Sequence, residues 1–289
     1  MIGQFIINGF ITGILYSLLA IGFALVYNTT KIFHIAAAAI YVFAAFMFYL
    51  FAYVIGWPLF VAAIVAIMLT MGLSWLSEIA VYRPLKRRKA SNNVAMIASI
   101  GMMTVIVNLL AMVFGNETKV VDNSIKNIMV YCGFIITLPQ KMQLFVGGFM
   151  IVVFLSFIEL TKWGIRLRAL SANSVLYATL GYNSSTVRSL VFLMSGAFIG
   201  VASCLSAYDI GLDAHMGMNV FINALVAMII GGVGRFGTCV VGGIALGVLQ
   251  ALTVYWFPSN WQNAVTFLLL IILLFLRPQG IAGYKQRTV

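Results

Sequence analysis

The sequence predicts an all-α polytopic membrane protein of about eight to ten transmembrane or re-entrant helices, with its N-terminus outside and its C-terminus cytoplasmic. Three observations predict this. The chain of 289 residues is 63% hydrophobic and only 8% charged, whereas a soluble domain carries about 25% charged residues. Apolar stretches of about 20 residues, the length a helix needs to cross a bilayer with every backbone group paired inside it, recur from end to end. The basic residues gather in a few of the links between them.

Taken in order, the apolar stretches run over about 4–27, 33–55, 58–81, 94–115, 142–160, 187–208, 219–233, 238–257 and 262–277. The first lacks a basic leader and exceeds the roughly 7–15 apolar residues of a secretory signal, so it reads as a retained span. The second opens on a histidine and four consecutive alanines, "HIAAAA", a composition suited to close packing. The seventh is short and ends among glycines, which leaves a full crossing and a broken or re-entrant helix both open. The whole of 1–289 reads as one transmembrane domain.

Charge placement sets the orientation. Arg83, Lys86, Arg87, Arg88 and Lys89 form one basic cluster, and Lys162, Arg166, Arg168 and Arg188 another. The positive-inside rule puts both in the cytoplasm, and nine spans then alternate consistently. The residues Glu117, Asp122, Asp209 and Asp213 fall in links on the other side. The net charge of +11 is thus explained by topology and lipid headgroups, or by a cytoplasmic docking partner, rather than by nucleic acid. The aromatic residues lie inside apolar spans instead of alternating with the basic ones.

The stretch "IIGGVGRFGTCVVGG" contains Gly232-x-Gly234-x-x-Gly237, the spacing of a dinucleotide-binding turn. That turn requires an acidic residue about 20 positions downstream, and the last acidic residue of the chain is Asp213, upstream. The flanks are apolar helices. Gly232, Gly234 and Gly237 therefore read as a tight turn between helices, and Gly243 and Gly247 as a packing face, with a moving hinge as the other reading. Gly9 with Gly13, and Gly196 with Gly200, share the Gly-x-x-x-Gly spacing that lets membrane helices approach closely.

Polar residues inside the spans recur at helical spacing: Asn8, Thr12 and Tyr16; Thr104 and Asn108; Asn219 and Asn223. Each set shares a helix face. Interhelical hydrogen bonds and the lining of a translocation path are both open readings. No ionised side chain stands mid-span in most helices, so a coupling-ion site of the kind expected in a proton- or ion-coupled pump is not evident, and a stand-alone secondary transporter or channel stays open as the alternative function. His34 and His215 are isolated near span ends, and Cys132, Cys204 and Cys239 lack metal or redox spacing. Nor is there a phosphate loop, so any ATP is bound by another chain. With no acid-base, nucleophile or metal constellation, the chain does not read as an enzyme.

The link after the fifth span, "TKWGIRLRALSANSVLYATLGYNSSTVRSLVF", predicts a short helix between Leu170 and Gly181, capped at Ser171 and stopped at Gly181. With Arg166 and Arg168 beside it, it suits docking to another protein. Here the sequence resembles the permease subunits of branched-chain amino acid ATP-binding-cassette importers, the LivH/LivM type. The resemblance begins at "TKWGIRLRALSANSVLYATLGYN", against a family pattern T-x-x-G-x-x-x-R-A. It continues through "FLMSGAFIGVASCLSA", "MGMNVFINALVAMIIGGVGRFGTCVVGGIALGVLQ" and "ILLFLRPQGIAG", and the opening "NGFITGILYSLLAIGFALVYNTTKIFHIAAAAIY" is similar to the family's first segment. The chain has "IFHIAAA" where the family commonly has "NFAHGE/A", and Asn173 or Ser174 where the family has an acidic or polar residue.

The resemblance implies an ATP-driven importer in the cytoplasmic (inner) membrane of a bacterium or archaeon. This permease would pair with a second, identical or related permease, two cytoplasmic ATP-binding subunits that use ATP and magnesium, and an external substrate-binding protein. The expected substrate is a branched-chain or other hydrophobic amino acid, with urea, amides, nucleosides or another small metabolite as alternatives. The link at about 161–187 would be the coupling loop, working through Arg166, Arg168, Ser171, Asn173, Leu176, Gly181 and Tyr182. The path would be lined by the polar faces at Asn8, Thr12, Tyr16, Thr104, Asn108, Asn219 and Asn223.

Overall fold

The computed structural model describes residues 2–121, 128–131, 134–232, 234 and 236–276. Eleven helices are present among them: α1 (Ile2–Thr30), α2 (Ala37–Val54), α3 (Leu59–Arg87), α4 (Asn92–Phe114), α5 (Leu138–Leu160), α6 (Lys162–Ala172), α7 (Ser174–Thr179), α8 (Ser184–Ile210), α9 (Met216–Gly231), α10 (Thr238–Trp256) and α11 (Trp261–Leu276). Seven are long and apolar enough to cross a membrane, and α9 and α11 are shorter apolar helices. The nine apolar stretches of the sequence correspond to these nine helices. The structure adds what periodicity did not show, an antiparallel hairpin of β1 (Ile128–Tyr131) and β2 (Phe134–Thr137) that pairs Ile128 with Thr137. The tail from residue 277, to which the cytoplasmic C-terminus was assigned, and Asp122, Lys126 and Cys132 lie outside the described residues.

The chain divides into two compact units: Met1–Ala24 with Ser124–Leu155 and Ile222–Val289, and Leu25–Asn123 with Ser156–Phe221. In the first unit, α1 and α10 cross at their glycines. A Cβ on Gly9 would stand 2.8 Å from the Val248 Cα, and one on Gly13 would stand 2.7 Å from the Ile244 Cα. From the other side, a Cβ on Gly243 or Gly247 would meet the backbone of Ser17 or of Gly9 and Gly13. Bare backbone on both helices is the reason they come this close, and dispersion then acts over the whole contact. The Ser17 hydroxyl donates across the crossing to the Val240 carbonyl at 2.9 Å. Gly242 faces the Ala227 carbonyl of α9.

The turn between α9 and α10 takes left-handed backbone at Gly232 (φ 102) and Gly234 (φ 104), a conformation that only glycine adopts without penalty. Gly237 has ordinary helical dihedrals and caps α10. At the hairpin, the Gln4 side chain acts as a strand partner, donating to the Ile135 carbonyl at 2.7 Å and accepting from the Ile135 amide at 3.0 Å.

In the second unit α8 packs on α3 and α2. A Cβ on Gly196 would lie 2.8 Å from the Ser74 Cβ and 2.9 Å from the Met71 Cα, so α8 lies directly on α3. Two hydroxyls fasten this layer: Ser74 donates to the Phe192 carbonyl and Ser203 to the Tyr41 carbonyl, each at 2.6 Å. The alanines Ala36, Ala37, Ala38 and Ala39 are all buried, as the "HIAAAA" stretch predicts, and Gly217 of α9 seats on the Ala38 carbonyl. The helix α3 contains one π-helical segment, Glu78–Tyr82, with both end residues buried.

Candidate functional site

Four of the apolar helices in the first unit converge on a polar hub. Tyr16 of α1 donates its hydroxyl to the Gln250 Oε1 of α10 at 2.7 Å. The Gln250 Nε2 donates to the Asn223 Oδ1 of α9 at 3.1 Å and to the Thr266 Oγ1 of α11 at 2.6 Å. Asn223 closes the ring through its Nδ2 to the Tyr16 hydroxyl at 3.4 Å. Gln250, Asn223 and Thr266 are buried. The hub brings together Tyr16 and Asn223, two of the residues singled out by helical spacing. Gln250 and Thr266 were not singled out, although a lone amide in the run "GIALGVLQALTVYW" is a signal of the same kind.

The other polar faces behave differently. Asn8 accepts from Gln4 within α1 at 3.1 Å, and Thr12 donates back to the Asn8 carbonyl at 3.0 Å. Thr104 and Asn108 lie on an exposed face of α4 and donate to carbonyls of their own helix, those of Ile100 and Thr104. Asn219 is exposed as well. Among the described residues Thr104, Asn108 and Asn219 do not join an interhelical network.

The link after α5 folds into two helices rather than the single one expected between Leu170 and Gly181. Thr161 caps α6 by accepting from the Gly164 amide at 3.0 Å. Gly164 is required there because a Cβ would strike the Ile158 carbonyl. Gly164, Leu167 and Leu170 face inward, while Arg166 and Arg168 face out, Arg166 lying over the Trp163 ring at 4.8 Å. Ser171 is inside the last turn of α6 and is not a cap, which corrects the expectation. The cap belongs to Asn173, whose Oδ1 accepts from the Leu176 amide at 3.0 Å and starts α7. The chain breaks at Asn173 because its side chain competes with the helix for backbone donors. Gly181 ends the segment as expected, at φ 80. Leu176, Leu180 and Tyr182 are left exposed beside it, at 57%, 66% and 52%.

Two buried polar groups of the second unit escaped the sequence reading. Glu78 is buried and accepts from Arg188 at 3.2 Å. Arg188, grouped with the basic loop by sequence, is therefore an interior residue of α8. His34 is fully buried; its Nδ1 shares a hydrogen bond with the Tyr82 hydroxyl at 2.7 Å, and its ring meets Phe192 edge-on. Ser99 of α4 accepts from the Ala36 amide at 2.8 Å, pinning the start of α2 beside it. His215, by contrast, is exposed, and its amide donates to the Asp213 carboxylate at 2.7 Å.

The two basic stretches share one end of the second unit. Lys31 and Lys86 stand there with Asn92, Ser171 and Arg188 around a common cavity. At the far end of α4, Lys119 exchanges backbone hydrogen bonds with Leu212 at 2.8 and 2.9 Å, and its ammonium lies over the Tyr49 ring at 5.8 Å.

Comparisons with known proteins agree with this architecture. The chain matches the family described as branched-chain amino acid transport system / permease component over residues 5–274. It is 26% identical over 298 aligned positions to the high-affinity branched-chain amino acid transport system permease protein LivH of Escherichia coli, covering 98% of this chain and 96% of that protein. The corresponding permease BraD of Pseudomonas aeruginosa is 27% identical with the same coverage. A probable branched-chain amino acid transport permease protein of Methanocaldococcus jannaschii is 25% identical over 72% of this chain and 69% of that one. Among solved structures, a chain of PsaBC from Streptococcus pneumoniae in complex with Fab superposes with a TM-score of 0.56 at 13% identity, covering 96% of this chain and 97% of that one, a likeness of fold.

Proposed function

We infer the function of this chain from the family to which it belongs, the permease components of branched-chain amino acid transport systems. It is a multi-pass membrane transport subunit rather than an enzyme. It carries branched-chain or other hydrophobic amino acids inward, driven by ATP hydrolysed with magnesium on two cytoplasmic partner chains, and works beside a second permease and an external binding protein. The basic end of the second unit faces the cytoplasm, the N-terminus faces out, and the link at 161–187 is the coupling loop.

The observation that carries this reading is the exposed apolar trio Leu176, Leu180 and Tyr182, standing at the same end as the basic clusters and next to the outward-facing Arg166 and Arg168. Apolar side chains held on a short capped helix and the turn that follows it, at a charged membrane surface, are suited to seating in another protein. The exposed polar stripe Thr104 and Asn108 on an otherwise apolar helix is costly against lipid, so that face lines the path opposite the second permease. The hub of Tyr16, Asn223, Gln250 and Thr266 holds four helices in one of the two arrangements that alternating access requires.

Affinity purification of the tagged chain in mild detergent, followed by identification of its companions, an ATPase assay and leucine uptake into proteoliposomes, tests the proposal. Recovery of an ATP-binding subunit with vanadate-sensitive, leucine-stimulated hydrolysis is expected. A chain that runs alone and moves solute without ATP would replace it with a secondary transporter.

A further inference from the structure

At the basic end of the second unit the link after α1, the end of α3, the start of α4, the α6–α7 junction and the start of α8 enclose a cavity of about 350 Å³. Lys31, Lys86 and Arg188 line it, and among the described residues no aspartate or glutamate does. Arg188 is 4% exposed. One of its terminal nitrogens donates to Glu78 at 3.2 Å, while its Nε is buried with no hydrogen-bond partner. Asn92, Ser171 and Asn173 add amide and hydroxyl groups to the wall.

Glu78 stands behind Arg188 and offsets one of these three positive charges, which leaves the wall cationic. Like charges gathered in a partly enclosed space repel, and an anion between them reverses the sign of that interaction. A guanidinium with a free donor, two mobile ammonium groups and neutral donors around them match the several oxygens of a phosphate better than a single carboxylate. The cavity also lies at the end of the helices where headgroups would stand under the proposed orientation.

We propose that this cavity binds a phosphate group, either the phosphodiester of an anionic phospholipid or free phosphate. Bound there, it ties the α6–α7 junction to α1, α3 and α8, so that coupling to the ATP-binding subunits depends on its occupancy. That consequence rests on the coupling-loop reading; the binding itself does not.

The test uses the full chain in neutral detergent and compares wild type with the double variant Lys31→Gln, Lys86→Gln, which leaves the Arg188–Glu78 pair in place. Arg87→Gln, a neighbouring exposed charge outside the cavity, is the control. Inorganic phosphate is titrated at constant ionic strength while the thermal midpoint is followed, and native mass spectrometry compares retention of phosphatidylglycerol with phosphatidylcholine. Wild type is expected to bind one of these probes, with roughly five-fold weaker binding for each lysine removed and no change for Arg87→Gln. A response to free phosphate identifies a soluble ligand; selective retention of phosphatidylglycerol identifies lipid. Equal loss in Arg87→Gln, or no binding of either probe by wild type, overturns the proposal. So does a zero-length carbodiimide cross-link from Lys31 or Lys86 to an ATP-binding subunit in the assembled complex, since protein then fills the cavity. These binding results stand even if uptake proves independent of ATP, which would defeat only the transport reading.

Discussion

Replacing Gln250 by methionine keeps the volume of the side chain and removes every polar contact it makes. Three hydrogen bonds are lost, to Tyr16 at 2.7 Å, Asn223 at 3.1 Å and Thr266 at 2.6 Å. Interhelical hydrogen bonds in membrane proteins contribute on average about 0.6 kcal/mol each and at most about 1.7. The expected destabilisation is therefore about 2 kcal/mol, a roughly thirty-fold change in the folded-to-unfolded ratio. Denaturing-detergent titration of the purified chain in mixed micelles measures it. The sharper reading is the double-mutant cycle with Tyr16→Phe, for which a coupling of about 0.6 to 1.7 kcal/mol is expected across the Tyr16–Gln250 bond. If the two substitutions add within about 0.3 kcal/mol, the hub does not act as a connected unit, and the argument that it holds four helices in one arrangement fails.

Other substitutions separate the remaining claims. Gly243→Val drives a branched side chain into the Ser17 backbone and should cost about 1–3 kcal/mol or more, whereas Gly101→Ala, which meets nothing within 4 Å, should be close to neutral in the same titration. Glu78→Gln leaves Arg188 buried without its counter-charge and should cost about 3–5 kcal/mol, much of it recovered by Glu78→Leu with Arg188→Met. Gly181→Val imposes a β-branched residue on φ 80, at about 1–2 kcal/mol of local strain; ATP hydrolysis and uptake should uncouple while membrane insertion is retained, and normal uptake after deleting residues 171–182 would reject the coupling loop.

The nine apolar segments were legible because membrane-spanning length and the pairing of backbone groups impose a long, simple signal. Gly9, Gly13, Gly243 and Gly247 were legible as packing residues for the same reason, since little else explains small residues at that spacing in an apolar helix. Partners were harder. Nothing in the spacing of Glu78 and Arg188 says that residues 110 positions apart meet, and Gln250 went unremarked because the residues four positions away on either side, Leu246 and Val254, are both apolar. Ser171 and Asn173 are both plausible caps in "ALSANSVL"; only the path of the backbone decides between them, and it breaks at Asn173. The hairpin at 128–137 sits in a link where pairing, not periodicity, makes the strands.

The distance along the chain between Glu78 and Arg188 has a consequence for biosynthesis. At about 5–20 residues per second, the 110 residues that separate them take roughly 5–20 seconds to synthesise. During that interval α3 has left the ribosome with a carboxylate and no counter-ion from α8. Glu78 lies only a few residues before the basic end of its helix, where water and headgroups can solvate it while it waits. The second unit therefore cannot complete its core until α8 arrives and supplies Arg188 as the counter-ion for the buried carboxylate.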